Sequence, residues 1–239
     1  MSRFTTTITE KKRNAPPKDI SIAVLSAGIG NRIKSYEPRS LLKVRGSYLI
    51  DNQIQVINEC LHKPEIISVL GFDTKRIIKK STNNLRVVEN QLYNTTNSSE
   101  SLRLAVNNCQ NENFMFLHGD LLFNKETLMN SYNNSFILVD NKGLFKESEV
   151  GVTINSSRSG KNNASILSYG LDCKWGQMAY FTGNEFKILQ NVLLRMQEQD
   201  KKMLSFEIIN KVIHMGGCFE CLEPEGMVII EIDRIKDIK

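Results

Sequence analysis

Short apolar runs recur along the first 140 residues of the chain, and segments of helical periodicity separate them. The runs contain few polar residues, which is typical of strands that are covered on both faces. They predict strands at 20–25, 66–70, 85–88, 114–117 and 136–139. The segments between them predict helices at 48–61, 74–80, 101–109 and 125–131. Strands that alternate with helices in this way indicate βαβ units and a largely parallel sheet.

The pattern changes after residue 141. Two β-ribbon segments, 150–155 and 164–168, flank a polar turn, and the stretch GQMAYFTG predicts a further strand. Helices at 184–196 and 204–214 precede a closing stretch that predicts two short strands and a last helical turn. We therefore expect an α/β protein with a Rossmann-like three-layer α/β/α architecture. Its sheet should be mixed but mostly parallel, with a small β-ribbon and helical region in the second half.

The length of 239 residues suits one α/β domain, which we expect to span residues 20–239. Residues 1–19 form a polar stretch that ends in two prolines, and they predict a flexible arm. The arm lacks the apolar centre of a signal peptide. No apolar run approaches the roughly 18 residues that a membrane span requires, so no membrane contact is expected.

Charge and cysteine content narrow the class of protein. A net charge of +5 indicates either an ordinary solvated surface or a basic surface that binds polyanionic substrates. Nucleic-acid binding is not expected, because no helix-turn-helix, zinc-finger or RNA-reading pattern accompanies the charge. The five cysteines are scattered, which favours reduced thiols and a cytoplasmic location. Cys218 and Cys221 form a C-x-x-C without a second pair, so we expect buried thiols and no zinc site.

A glycine-containing stretch, SAGIGNRIKSYEPRSLLKV, follows the first predicted strand. It is not a dinucleotide-binding loop, because Ile33 stands where that motif has its third glycine. It is not a P-loop either, because no Gly-Lys-Ser/Thr closes it. A simple glycine turn would leave the basic residues Arg32, Arg39 and Lys43 unexplained.

As a whole, the stretch resembles the opening signature of the nucleotidyltransferase superfamily that activates sugar phosphates and phosphocholine. The matching segments are LSAGIGNR at 25–32 and PRSLLKV at 38–44. Three further segments resemble the family. Residues 87–105, VVENQLYNTTNSSESLRLA, resemble a segment of phosphocholine-type cytidylyltransferases. Residues 114–123, FMFLHGDLLF, resemble the family's strand that ends in Gly-Asp, and residues 229–238, IIEIDRIKDI, resemble its closing Glu-Ile-Asp stretch. Arg39 stands where the family usually has lysine, and Gln177 where it commonly has glutamate.

The resemblance implies a MobA-like NTP transferase fold that carries out magnesium-dependent nucleotidyl transfer with loss of pyrophosphate. Residues 20–140 would form the nucleotide-binding half. Residues 141–239 would form the acceptor-binding half and include the closing strand of the metal site. The expected partners are therefore a nucleoside triphosphate and a small phosphorylated acceptor, with Mg²⁺ as cofactor.

The resemblance also implies roles for charged residues and glycines. Gly28 and Gly30 would bring backbone amides to the triphosphate, and Arg32 would neutralise its outer phosphates. Arg39 would hold the α-phosphate or the acceptor phosphate. Since Mg²⁺ prefers carboxylate oxygens, Asp120 and Asp233 are the expected metal ligands, Asp120 at the reaction centre and Glu231 in reserve.

Recognition of the base and ribose is expected from polar groups after the first and third strands. The candidates are the Ala27 backbone, Asn90, Thr96, Asn97 and Ser101. Ser101 is also a candidate N-cap of the next helix. The Thr96-Asn97 segment favours CTP over other nucleotides.

The acceptor is expected to be a small phosphorylated head group, such as phosphocholine or a phosphonate. Trp175, with Tyr169, Tyr180 and Phe181 near it in sequence, either holds a trimethylammonium group by cation–π attraction or belongs to the core. A sugar-1-phosphate nucleotidyltransferase and a non-catalytic nucleotide-binding regulatory protein stay open as alternatives. The sequence also leaves open whether the protein is a homo-oligomer.

Overall fold

A nine-stranded mixed sheet forms the centre of the described part of the chain. The computed structural model describes residues 16–29, 37–141, 148–156, 160, 162–171 and 173–232. Across the sheet, the strands follow in the order Arg86–Glu89, Glu65–Leu70, Ile20–Ser26, Asn113–His118, Cys173–Phe181, Phe136–Asp140, Glu220–Leu222, Asn162–Tyr169 and Val150–Ser156. Two two-stranded ladders lie beside it: Ile229–Glu231 with Leu121–Phe123, and Lys43–Val44 with Ser47–Tyr48.

The described strands have the following bounds: β1 (Ile20–Ser26), β2 (Lys43–Val44), β3 (Ser47–Tyr48), β4 (Glu65–Leu70), β5 (Arg86–Glu89), β6 (Asn113–His118), β7 (Leu121–Phe123), β8 (Phe136–Asp140), β9 (Val150–Ser156), β10 (Asn162–Tyr169), β11 (Cys173–Phe181), β12 (Glu220–Leu222) and β13 (Ile229–Glu231). The described helices are α1 (Leu49–Cys60), α2 (Thr74–Lys80), α3 (Ser98–Asn108), α4 (Gly183–Leu194) and α5 (Ser205–His214), with 3₁₀ segments at Arg39–Leu41, Lys125–Leu128 and Glu198–Lys202.

Strand β1 explains why the sheet lies between two helical layers. Its residues are buried almost without interruption, so both of its faces are covered. Ala23 and Leu25 belong to a cluster that contains side chains of α3, α4 and α5. Ile22 and Val24 belong to a second cluster, to which α1 contributes Ile57. Helices therefore pack on both faces of the sheet, and the expected mixed α/β fold is confirmed.

Strand direction divides the sheet. Strands β5, β4, β1 and β6 pair in parallel, so their carboxyl ends lie at one edge. Strand β11 runs antiparallel between β6 and β8. The expected β-ribbon is present as β9 and β10, and it joins the main sheet through the pairing of β10 with β12 and of β9 with β11.

The start of α3 corrects one expectation. Ser101 is not the N-cap, because α3 begins at Ser98 and Asn97 is its N-cap. The backbone N–H groups of Asn97 and Ser99 donate to the carbonyls of Lys201 and Met203, at 2.8 and 3.1 Å. Contacts with a distant segment therefore fix where this helix begins, which the local sequence does not show.

Two other expectations end differently. The predicted helix at 125–131 is only a short 3₁₀ segment. Cys218 is exposed, so the expectation that both thiols of the C-x-x-C are buried is wrong for that residue. Burial raises the pKa of the Cys221 thiol to about 12. The predicted arm falls mostly outside the described residues, and the last helical turn wholly so.

None of the helices in the described ranges combines the length and the apolar character that a membrane crossing requires.

Gly119 lies where the chain leaves β6 and passes against the end of β1. Its N–H donates to the carbonyl of Leu25 at 2.8 Å. A Cβ at this position would lie 2.3 Å from the Oγ and 2.9 Å from the Cα of Ser26. Only glycine therefore allows the two segments to approach so closely.

We expect Gly119→Ala to lower the free energy of unfolding by about 1–3 kcal/mol, because the added methyl group must displace the Ser26 backbone. Urea denaturation measures this change. Gly28→Ala is the matched control, since a Cβ there has no described atom within 4 Å, and its effect should stay within about 0.5 kcal/mol. Equal stability of Gly119→Ala and wild type would contradict the tight contact.

Candidate functional site

The candidate site lies at the carboxyl ends of the parallel strands, where open α/β sheets place their ligands. Ser26, the last residue of β1, forms a hydroxyl–hydroxyl hydrogen bond of 2.6 Å with Ser40. This bond holds the 3₁₀ segment Arg39–Leu41 against the strand end. The segment brings the side chain of Arg39 toward the end of β6.

Arg39 and Asp120 form an ion pair in which Nη1 of Arg39 donates to Oδ2 of Asp120. Both side chains are largely buried, with exposed fractions of 18% and 17%. The other carboxylate oxygen, Oδ1, is buried and has no hydrogen-bond partner among the described residues. Asp120 therefore keeps one oxygen available to a further cation.

The closing strand runs beside Asp120. Strand β13 pairs antiparallel with β7, with Glu231 opposite Leu121. The next residue, Ile232, donates its N–H to the carbonyl of Asp120 at 2.8 Å. The structure thus brings together two strand segments that are far apart in sequence. Asp233 itself lies outside the described residues.

A kink in β11 places Gln177 next to the closing strand. The register of β11 against β8 shifts between Trp175 and Ala179, and Gln177 has a φ of 56°, in the left-handed region. Its Nε2 donates to Oε2 of Glu231 at 2.7 Å. The sequence analysis noted Gln177 only as a departure from the family pattern. The glycine before it was the only local sign of an irregular strand.

His118 is a polar residue of this region to which the sequence analysis gave no role. Its Nε2 lies 2.8 Å from the hydroxyl of Ser205, the first residue of α5. Its ring packs edge-on against Trp175, with the centroids 5.7 Å apart. Burial lowers the pKa of His118, although the Asp120 charge opposes the shift. His118 therefore links the end of β6 to α5 rather than supplying a positive charge.

Asn90, Thr96 and Ser101 form one hydrogen-bonded network after β5. The buried Asn90 donates from Nδ2 to the hydroxyls of Thr96 and Ser101, each at 3.2 Å. Its Oδ1 accepts from the N–H of Leu92 at 3.0 Å. The Oδ1 of Asn97 accepts from the N–H of Ser98 at 2.9 Å. The structure thus brings three of these candidates together, and their side chains shape the loop itself.

Ala27 and Gly28 lie where β1 ends. The carbonyl of Ala27 accepts from the N–H of Phe72 at 3.0 Å, which ties the β1 turn to the segment after β4. Gly28 is exposed, and a Cβ there would meet no described atom within 4 Å. No described atom therefore blocks Gly28 on the side where a side chain would project. Gly30 and Arg32 lie outside the described residues.

The aromatic residues around position 175 do not form a cage. Trp175 is 1% exposed, and Tyr180 and Phe181 are fully buried in the core. Tyr169 is about half exposed and packs edge-on against Phe206. Of the two interpretations that the sequence allowed, the core interpretation is correct for Trp175, Tyr180 and Phe181.

The donors present fit a magnesium site with few protein ligands. No group of three or more His, Cys, Asp or Glu side chains in the described ranges is arranged to hold a metal ion. Mg²⁺ commonly takes only one or two carboxylates and completes its shell with water and substrate phosphates. The buried, unpartnered Oδ1 of Asp120 is an oxygen of the required type.

The sequence profile of the MobA-like NTP transferase domain matches residues 22–148, which is more than half of the chain. The chain therefore belongs to the MobA-like NTP transferase family, a family of nucleotidyltransferases, and the resemblance seen in the sequence is confirmed. No curated protein sequence matches the chain.

Solved structures of nucleotidyltransferases share the fold. The inositol-1-phosphate CTP transferase from T. maritima matches with a TM-score of 0.73 and 14% identity, covering 93% of this chain and 91% of its own. The CTP:phosphocholine cytidylyltransferase from Streptococcus pneumoniae matches with a TM-score of 0.70 and 18% identity, and the match covers 91% of this chain and 95% of that protein. A UDP-glucose pyrophosphorylase complexed with UDP-glucose matches with a TM-score of 0.67 and 12% identity, and the match covers 92% of this chain and 95% of that protein. At these identities the likeness establishes the fold.

We expect Asn90→Ala to lower the free energy of unfolding by about 1–3 kcal/mol, because it leaves the buried Ser101 hydroxyl and the N–H of Leu92 without their partner. Chemical denaturation measures the loss. Asn191→Ala, on the exposed face of α4, is the matched control and should change stability by no more than about 0.5 kcal/mol. If the two variants are equally stable, the network does not support the loop.

Proposed function

We propose that the protein transfers CMP from CTP to a small phosphorylated acceptor, such as phosphocholine or a phosphonate, and releases pyrophosphate. The proposal rests on Asp120, which lies at the carboxyl end of β6, pairs with Arg39 and has a buried oxygen without a described partner. In a family of nucleotidyltransferases, an acid in this position is suited to hold the cation that accompanies a nucleoside triphosphate.

Asp120 and Asp233 would hold Mg²⁺. Asp233 follows directly on Ile232, whose N–H bonds to the carbonyl of Asp120, and this connectivity supports the pairing. When bound, Mg²⁺ would supply positive charge to the phosphates and so offset the repulsion between two polyanions. Asp120 would orient that charge toward the carboxyl ends of β1 and β6, where the substrates would bind.

The remaining residues act by position and charge. A phosphomonoester acceptor is already largely dianionic at neutral pH, because its second pKa is about 6, so it needs no general base to become a nucleophile. The open backbone at Gly28, with Gly30 and Arg32 after it, would receive the triphosphate. Residues 90–101 would hold the base and ribose through Thr96, Asn97 and Ser101, together with the Ala27 backbone at the end of β1, and Asn90 would keep the loop in shape. Residues 20–140 would thus bind the nucleotide and residues 141–239 the acceptor.

The choice of CTP rests on the resemblance of the 90–101 loop to cytidylyltransferases and on two neighbours in the fold comparison that act with CTP. Phosphocholine is supported by one of those neighbours, and the other acts on inositol-1-phosphate. The burial of Trp175, Tyr180 and Phe181 removes them as a choline cage. That burial favours, as a second candidate, a polyol or sugar phosphate acceptor.

The protein should release pyrophosphate when CTP, Mg²⁺ and phosphocholine or a phosphonate are supplied together. A panel of the four nucleoside triphosphates and dTTP against phosphocholine, 2-aminoethylphosphonate, inositol-1-phosphate and glucose-1-phosphate measures this. Release with UTP or dTTP and glucose-1-phosphate would support the sugar-phosphate alternative. Nucleotide binding without release in any combination would support the non-catalytic alternative and overturn the proposal.

We expect Asp120→Asn to reduce turnover by roughly 10²–10³-fold, the cost of losing one electrostatic group in an active site. Steady-state kinetics with circular dichroism separates lost catalysis from lost folding. Asp19→Asn is the matched control, because Asp19 is exposed and directly precedes β1 at the opposite end of the strand. Full activity in Asp120→Asn would remove Asp120 from the reaction.

A further inference from the structure

The ion pair between Arg39 and Asp120 poses a problem for the proposed reaction. Arg39 is expected to bind a phosphate and Asp120 a divalent cation, yet in the structure the two side chains bind each other. Each of them therefore has to give up, or share, its present partner before the substrates can be held as proposed.

We propose that Arg39 stands in for the divalent cation at Asp120 in the substrate-free protein. In this arrangement the guanidinium neutralises the carboxylate and opposes binding of a free divalent cation. The arriving triphosphate, rich in negative charge, then draws the guanidinium away and leaves Asp120 to the cation. This inference rests on the proposed function for the nature of the substrates, and on the geometry of the pair for the competition.

The geometry supports competition because both cations address one carboxyl group. Arg39 holds Oδ2, and Oδ1 is buried without a described hydrogen-bond partner. A divalent cation on Oδ1 would face the guanidinium across the same carboxylate. Like charges at such short range repel strongly when solvent is largely excluded, and both side chains here are less than one-fifth exposed.

The backbone that follows Arg39 is anchored by packing and hydrogen bonds, so we expect the change to be confined to its side chain. Leu41 and Leu42, which follow it, are buried, and the carbonyl of Leu42 accepts from the N–H of Leu49 at 2.9 Å. The Ser40 hydroxyl is bonded to that of Ser26 at 2.6 Å. From this anchored turn a long side chain can exchange a carboxylate for a phosphate by rotation alone.

Arginine suits this role better than lysine does. Its guanidinium keeps its charge in a buried setting and binds carboxylate and phosphate oxygens with the same planar donors. An ammonium group is a compact, strongly hydrated charge with no fork of parallel donors. A guanidinium therefore moves between the two anions with little change in its hydrogen bonding.

Mn²⁺ binding to the substrate-free protein tests the proposal without any turnover. Mn²⁺ titrations monitored by electron paramagnetic resonance give the affinity of wild type and Arg39→Gln in the absence of nucleotide. We expect Arg39→Gln to bind Mn²⁺ about tenfold more tightly or better, because one opposing charge is removed at short range. Arg39→Lys, which keeps the charge, should stay closer to wild type.

Two further variants make the result specific. Arg86→Gln is the matched control, because Arg86 pairs with Glu65 at the amino ends of β4 and β5, away from the site, and its Mn²⁺ affinity should equal that of wild type. Adding Asp120→Asn to Arg39→Gln should abolish the gain. Circular dichroism verifies that each variant is folded.

An Mn²⁺ affinity in Arg39→Gln that is equal to or weaker than that of wild type would overturn the proposal. So would a gain that persists in the double variant. Failure of the proposed function looks different: no pyrophosphate would be released in any combination, while the Mn²⁺ affinities could still follow the expected order.

Discussion

The close approach of Gly119 to Ser26 is the constraint on which the candidate site depends. With no side chain at position 119, the chain after β6 passes directly against the end of β1, and the Gly119 N–H bonds to the Leu25 carbonyl at 2.8 Å. Asp120 consequently emerges beside the turn that carries Arg39. The ion pair, the buried carboxylate oxygen and the contact with the closing strand all follow from this placement.

The parts of the fold that local pattern determines could be predicted from the sequence. The parallel strands of the first half were predicted, because strands that are covered on both faces consist of nearly continuous apolar runs. The helix at 74–80 was predicted from its helical periodicity. The Arg39–Asp120 pair could not be predicted, because the two residues are 81 positions apart and only the tertiary fold brings them together. The N-cap at Asn97 was missed for the same reason. The left-handed Gln177 was missed because glutamine rarely adopts that conformation.

Arg39 and Asp120 balance each other's charge in the described part of the site. A bare carboxylate at Asp120 would repel a triphosphate, and a bare guanidinium in a largely buried position would be poorly solvated. Pairing the two removes both costs in the substrate-free protein. The mild overall charge of +5 contributes less, because surface charges act at longer range and are screened by salt. Among the described residues, the Arg39–Asp120 pair therefore matters more to the charge at Asp120 than the net charge of the chain does.

The start of α3 is held against the second half of the chain by hydrogen bonds. The N–H groups of Asn97 and Ser99 bond to the Lys201 and Met203 carbonyls, and the Ser98 hydroxyl accepts from the N–H of Ser205 at 2.7 Å. Ser205 also lies 2.8 Å from His118, two residues before Asp120. A shift of α5 would therefore disturb the loop and the end of β6 together. These hydrogen bonds therefore join residues 97–99, the start of α5 and the end of β6 in one connected network.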